Sequence, residues 1–114
     1  FLNITHIRDL PMKELSYGQK KLLDLGSVLM SDPGVILLDE PAAGVNPRLL
    51  ETILDRILVL KKQGKTILLV EHNMDLVMGI SDKVVVMAAG SIIASGTPDE
   101  VQSDKQVLEV YLTG

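Results

Sequence analysis

The 114-residue chain contains no cysteine. That excludes a disulfide framework, a thiolate metal site and a cysteine nucleophile, and it leaves the redox compartment unread. The chain also has no basic excess: 11 Lys+Arg stand against 15 Asp+Glu, a formal net charge of −4. A dedicated nucleic-acid binder usually carries the opposite balance. Long apolar runs are missing too. The longest, Val84 to Ala89, is far too short to cross a bilayer. No basic start, apolar stretch and cleavage site occur together, and there is no internal repeat, low-complexity tract or Gly/Ser linker. A soluble chain is expected. The 46% apolar content with mixed charges excludes intrinsic disorder. The length allows one domain and hardly two, able to bury roughly two-thirds of its unfolded surface. The chain starts at Phe1 rather than Met, as a piece of a longer protein would.

Residues 1–15 lack a clear period, are interrupted by Pro11, and read as loop with a short helical piece. A helix is expected from Ser16. Ser16 and Gln19 fit a capping box, and Leu22, Leu23, Leu25, Val28 and Leu29 supply an apolar face. Asp32-Pro33-Gly34 is a turn signal. Val35-Ile36-Leu37-Leu38 is apolar without alternation, the pattern of a strand buried on both faces. Asn46-Pro47 reads as N-cap and first position of a second helix, with Leu50, Ile53, Leu54, Ile57, Leu58 and Leu60 at helical spacing. Lys61 and Lys62 suit its last turn and Gly64 its C-terminal stop. Thr66 to Val70 reads as a second buried strand. Asn73 caps a short helix, and Lys83–Met87 and Ser91–Ser95 form a hairpin around Ala89-Gly90. Two short helices close the chain, from Thr97-Pro98 and over Lys105–Leu112. Strands alternating with helices imply an α/β fold with a mainly parallel sheet. Two parallel strands plus a hairpin make a narrow sheet with an unpaired edge.

Ligands of open α/β sheets sit beyond the carboxyl ends of the strands. Here one strand ends in Asp39-Glu40 and the next in Glu71-His72, so adjacent parallel strands would bring acids and an imidazole to one crevice. Four apolar residues followed by Asp form a Walker B pattern, with the carboxylate placed for a phosphate-bound Mg²⁺. A second carboxylate immediately after it can polarise an attacking water. The same residues also read as an ordinary strand ending in a turn. Taken singly, the residues leave both readings open. His6 has no partner in its aperiodic stretch and is read as an ordinary imidazole. Gly64-Lys65-Thr66 mimics the tail of a P-loop, but the first Gly would have to be residue 59, which is Val59. A P-loop also follows a strand and opens a helix, the reverse of the context here.

The combination is more specific than its parts. LSYGQ (Leu15–Gln19) is followed by VILLDEP (Val35–Pro41), then AAGVNP (Ala42–Pro47), then Glu71-His72 after a second strand. This order resembles the ATP-binding subunits of ABC transporters, and the resemblance covers essentially the whole chain. LSYGQ resembles that family's signature motif, ILLDEP its Walker B strand, AAGVN its D-loop and Glu71-His72 its H-loop. DKVVVMAAGSIIASGTPDEV resembles the closing hairpin and helix. Within the family, AAGVNP and the tail resemble branched-chain amino-acid importers. Lipopolysaccharide-export ATPases look similar through the same segments.

The resemblance implies a partial P-loop NTPase (RecA-like) domain: residues 1–31 the end of a helical subdomain with the signature motif, and 32–114 the C-terminal part of the ATPase core. It implies ATP and Mg²⁺ as ligands. Glu40 would be the general base, Asp39 the Mg²⁺ acceptor by way of water, and His72 the γ-phosphate sensor. Ser16, Tyr17, Gly18 and Gln19 would meet ATP held by an opposite subunit, with Asn46 in the D-loop. A helix N-terminus suits phosphate, since it offers free amides and a partial positive charge. The implied partners are a second ATP-binding subunit and membrane-spanning permease subunits, with no nucleic acid. The implied place is the cytoplasmic face of the inner membrane, peripherally bound. Two residues depart from the pattern: Tyr17 replaces the first signature Gly, and Asn46 replaces the D-loop Asp. The family's P-loop, base-stacking aromatic and glutamine loop have no match. The 114 residues alone are therefore expected to bind ATP weakly or not at all, and to show no turnover. One alternative is a non-enzymatic dimerisation or regulatory module that completes a partner's ATP site. Another is a DNA-maintenance ATPase. The acidic charge, the lack of a basic patch and the absence of coiled-coil heptads oppose it.

Overall fold

A computed structural model describes residues 1–112 of the chain. The last two residues of the expected 32–114 segment lie outside the described residues. The described chain divides into two compact units, residues 1–71 and residues 72–112.

The first unit opens with two short 3-10 helices, Thr5–Ile7 and Met12–Glu14. Four elements follow: α1 (Tyr17–Leu29), β1 (Val35–Asp39), α2 (Pro47–Lys62) and β2 (Thr66–Val70). Both long helices start where local chemistry dictates. Ser16 caps α1 with both bonds of the capping box, and Asn46 caps α2 ahead of Pro47. The stop of α2 is equally local. Gly64 takes a φ of +85°, and the amides of Gly64 and Lys65 return to the carbonyls of Lys61 and Leu60. Lys65-Thr66 therefore leads into a strand, and the P-loop-like triplet is a helix stop.

β1 and β2 pair in parallel and in register from Val35–Thr66 to Asp39–Val70. The side chains of β1 do not match the expectation of burial on both faces. Ile36 is 1% exposed, but Leu37 is 71% exposed, and Val35, Leu68 and Val70 are also exposed. One face of the pair is thus covered and the other is open and apolar. The core of this unit is built from Ile36 with Leu22 and Leu25 of α1 and Ile53, Ile57 and Leu60 of α2. Val28, expected on the apolar face of α1, is exposed.

The second unit holds α3 (Met74–Ile80), β3 (Val84–Ala88), β4 (Ser91–Gly96), α4 (Pro98–Gln102) and α5 (Lys105–Leu112). The hairpin does not widen the parallel sheet as expected. β3 and β4 form their own two-stranded antiparallel sheet. Its inner face, Val84 and Val86, packs with Val101 of α4 and Val107 of α5, flanked by Met74, Val77, Met78, Ile93 and Ala94. A register shift after Val86 leaves Ile93 as the extra residue of a bulge. α4 begins with the same device as α1, a capping box between Thr97 and Glu100.

Two loop positions generate predictions. Ala89 and Gly90 both have positive φ, +48° and +77°, as a two-residue type I′ hairpin turn demands. Alanine pays a steric cost in that conformation that asparagine largely avoids. Ala89→Asn is expected to raise stability by about 1 kcal/mol in urea denaturation. Asp32, also left-handed at φ +48°, pairs with the Lys65 ammonium across the start of β1 and β2. Its hydrogen bond and charge attraction to Lys65 hold the Asp32 carboxyl below the ordinary aspartate value. A depressed folded-state value means the stabilisation is present above the unfolded pKa and is lost as pH falls through the folded one. Asp32→Asn should therefore lower stability slightly at neutral pH. The difference should vanish in acid, as followed by denaturation midpoints across pH.

Candidate functional site

The N-terminus of α1 is built by its own first turn. Ser16 Oγ accepts the Gln19 amide at 3.2 Å, and Gln19 Oε1 accepts the Ser16 amide at 2.9 Å. The box uses neither the Tyr17 nor the Gly18 amide. Gly18 has a packing reason to be glycine: a Cβ there would run into Leu49 Cδ2 on α2. Its absence lets the first turn of α1 lie against the first turn of α2. There Asn46 Oδ1 accepts the Leu49 amide at 2.9 Å. Ser16, Gln19, Asn46, Arg48, Leu49 and Thr52 consequently line one open cleft of about 230 Å³. Two helix N-termini and a guanidinium side chain converge there, a setting that favours an anion. Arg48 was not among the residues singled out from the sequence. The available signal was its position: a cation in the first turn of a helix opposes the helix dipole.

The second group of candidate residues lies at the end of β1. The ladder continues one residue past the strand, with the Glu40 amide bonded to the Val70 carbonyl at 2.8 Å. Glu40 then turns the chain in the left-handed region, φ +43°, a conformation uncommon for a side chain of that size. The loop that follows is held from three directions. Ala43 donates its amide to the Glu40 carbonyl at 3.0 Å, and Ala42 donates to Glu71 Oε1 at 2.8 Å. Lys21 Nζ of α1 donates to the carbonyls of Glu40, Pro41 and Ala43 at 3.0, 3.3 and 2.8 Å. Asp39 and Glu40 themselves remain exposed. Asp39 and Lys21 line a further open cleft of about 250 Å³, with Asp24 and Val28.

Tyr17 joins the two places. Its ring, 56% exposed, lies on Gly44, where a Cβ would sit 3.1 Å from Tyr17 Cε1. Gly44 has φ +69°, so both its conformation and its lack of a side chain are used. The Lys21 ammonium sits 5.3 Å from the centroid of the same ring.

Of the candidate residues in the first unit, Ser16, Gln19 and Asn46 line one cleft and Asp39 the other, while Tyr17, Gly18 and Glu40 line neither of the two. Glu71 is occupied as an acceptor for the loop after β1. His72 is the first residue of the second unit and precedes the Asn73 cap of α3. Lys21, like Arg48, was missed from sequence, because its three acceptors lie about twenty residues away.

Comparison with known proteins adds independent findings. A family model for an AAA domain (AbiEii toxin, Type IV TA system) matches residues 1–78. A model described as branched-chain amino acid ATP-binding cassette transporter matches residues 91–112. The chain is 43% identical over 112 residues to a probable branched-chain amino acid transport ATP-binding protein of Archaeoglobus fulgidus, covering 98% of this chain and 44% of the relative. It is 39% identical over 110 residues to the lipopolysaccharide export system ATP-binding protein of Haemophilus influenzae, covering 96% and 46%. An ATP-binding cassette of an ABC transporter, solved in its ADP conformation, superposes with a TM-score of 0.86 at 41% identity, covering 99% of this chain and 46% of that one. The chain spans under half the length of these relatives. With the α/β fold, the signature-like helix start and the β1 acid pair in place, the chain belongs to the ATP-binding cassette family of ABC transporters.

Proposed function

We propose that the chain is the signature-to-H-loop portion of an ATP-binding, ATP-hydrolysing subunit that powers solute transport across a membrane, with branched-chain amino acids imported as the solute. One observation carries the reading. Ser16, Gln19 and Asn46 line one cleft together with Arg48, and Asp39 lines a separate one together with Lys21 and Asp24. That separation suits a subunit that offers its helix N-terminus to a partner's nucleotide and its strand end to its own.

On this reading the Ser16 hydroxyl and the Gly18 amide bind a γ-phosphate held by a second subunit, beside Tyr17, Gln19 and Asn46. Glu40 accepts the proton of the attacking water, and His72 orients on the γ-phosphate. Mg²⁺ would arrive with the nucleotide, and its chemistry is to neutralise charge on the phosphates. Among the described residues no cluster of three acidic or histidine side chains could hold a metal by itself. A phosphate-bound Mg²⁺ needs only one or two protein carboxylates, and Asp39 fits that requirement. Residues 1–31 would end the helical subdomain, and 32–114 would form the C-terminal part of the core. The open apolar face of β1 and β2 is where the rest of a complete subunit would pack. As in a transporter of this family, permease subunits would supply the pathway and hold this subunit at the cytoplasmic face; among the described residues no helix is long and apolar enough to cross a membrane. The match over residues 91–112 favours branched-chain amino acids as solute. The 39% identity to the lipopolysaccharide-export protein supports export of that lipid as the second reading.

In the complete subunit, Glu40→Gln is expected to keep ATP binding while lowering turnover by roughly 10²–10⁴-fold, the range for loss of a general base. Undiminished turnover would sink the assignment of Glu40 as general base. Ser16→Ala and Thr97→Ala remove equivalent capping boxes and should each cost about 1 kcal/mol of stability. Only Ser16→Ala should also weaken ATP-dependent pairing of subunits, measured by light scattering. In the assembled transporter, stimulation of ATP turnover by leucine, isoleucine or valine tests the solute. Stimulation by lipopolysaccharide alone would move the assignment to the second reading.

A further inference from the structure

The loop from Glu40 to Gly44 presents an electrostatic problem. The carbonyls of Glu40, Pro41 and Ala43 converge on one point, within 3.3 Å of a single nitrogen. Converging carbonyl dipoles repel one another unless a cation sits among them. Lys21 supplies that cation, and an ammonium has three donors for three acceptors. The bonds to Pro41 and Ala43 are part-buried, so water competes weakly for them. Tyr17 covers the ammonium from the side, with its ring also resting on Gly44.

The backbone at Glu40 needs such a hold. Its φ of +43° is disfavoured for a residue with a side chain, and such conformations persist only where surrounding contacts over-determine them. On the strand side Glu40 is fixed by its amide bond to Val70. On the loop side its carbonyl has two donors, the Ala43 amide and Lys21. Direction of the Cα–Cβ bond follows from φ and ψ, so the pinning of this carbonyl sets where the carboxylate leaves the chain.

We propose that Lys21 is the positioning residue for Glu40, an ammonium on the signature helix that locks the loop after β1 in its left-handed turn. The proposal rests on the reading of Glu40 as general base. Lys21 touches no reacting atom. It acts by holding the backbone from which Glu40 projects, and a displacement of about 1 Å at a reacting group can cost on the order of 10²-fold in rate.

The test uses the complete subunit, with ATP turnover, ATP affinity and thermal midpoint measured on each variant. Lys21→Met keeps the length of the stem and removes the donors. Its kcat at saturating ATP should fall by about 10- to 100-fold with KM changed less than about 3-fold. Lys21→Arg, which keeps the charge, should recover part of that loss. Adding Lys21→Met to Glu40→Gln should slow the residual rate no further, because Lys21 acts only through Glu40. A normal kcat in Lys21→Met beside a slow Glu40→Gln would overturn the proposal alone. So would a lowered thermal midpoint with unchanged turnover per folded molecule, or an additive loss in the double variant. Normal turnover in Glu40→Gln would overturn the general-base reading and the proposal with it. Should Lys21→Met not fold, Lys21→Gln keeps two donors. It should then show a loss of roughly 3- to 10-fold in kcat, and a wild-type kcat there overturns the proposal.

Discussion

The parallel register of β1 on β2 is the constraint on which the first unit depends. It aligns Asp39 with Val70, so the two strands end side by side and the next residues meet across the gap. From that alignment follow the Glu40–Val70 bond and the reach of the Glu71 carboxylate to the Ala42 amide. A shift of one residue would turn Ile36 out to the open face and Leu37 in. It would also break the two contacts that β2 and its end make with the loop, the Glu40–Val70 bond and the Glu71–Ala42 bond. The geometry of the acid pair is therefore a consequence of pairing between strand residues 31 apart in sequence, such as Asp39 and Val70, and no local preference of Asp-Glu-Pro accounts for it.

The two helix N-termini add a second layer. Capping boxes and Asx caps are inexpensive ways to satisfy amides that have no partner inside a helix. At Thr97 the device does only that. At Ser16 the same device stands against the α2 cap because Gly18 has no side chain to keep Leu49 away. Arg48 then places a guanidinium where the dipole of α2 disfavours a cation. An anionic ligand in the cleft would reward that choice. Local stability and ligand binding share the same atoms here, so a variant at Ser16 has to be compared with one at Thr97 before its effect is read as functional.

The open face of the parallel pair has a physical reading consistent with the span of the chain. Val35, Leu37, Leu68 and Val70 form an apolar surface that a monomeric domain would ordinarily cover. Their uninterrupted apolar sequence asks for cover on both faces, and the described residues supply it on one. Relatives of roughly twice the length provide chain enough for the second cover.

Much of this was readable in the sequence. The five α-helices and four strands start within a residue or two of where the sequence puts them, because caps, turns and stops are satisfied within four residues of chain, whereas the 3-10 helices Thr5–Ile7 and Met12–Glu14 lie in a stretch read as loop with one short helical piece. Ser16 with Gln19, Asn46 with Pro47, Thr97 with Glu100, and Gly64 all act locally, and the sequence alone determined them. The order of motifs from Leu15 to His72 also sufficed to identify the family. Tertiary structure alone decided three things: that the hairpin forms its own sheet, that one face of β1 stays open, and that Lys21 and Tyr17 of α1 grip the loop after β1. The last of these depends on acceptors nineteen to twenty-two residues from Lys21. A lysine in sequence shows only a charge and a reach. Which carbonyls converge to meet it is settled by how the strands pair and how closely two helix ends can approach.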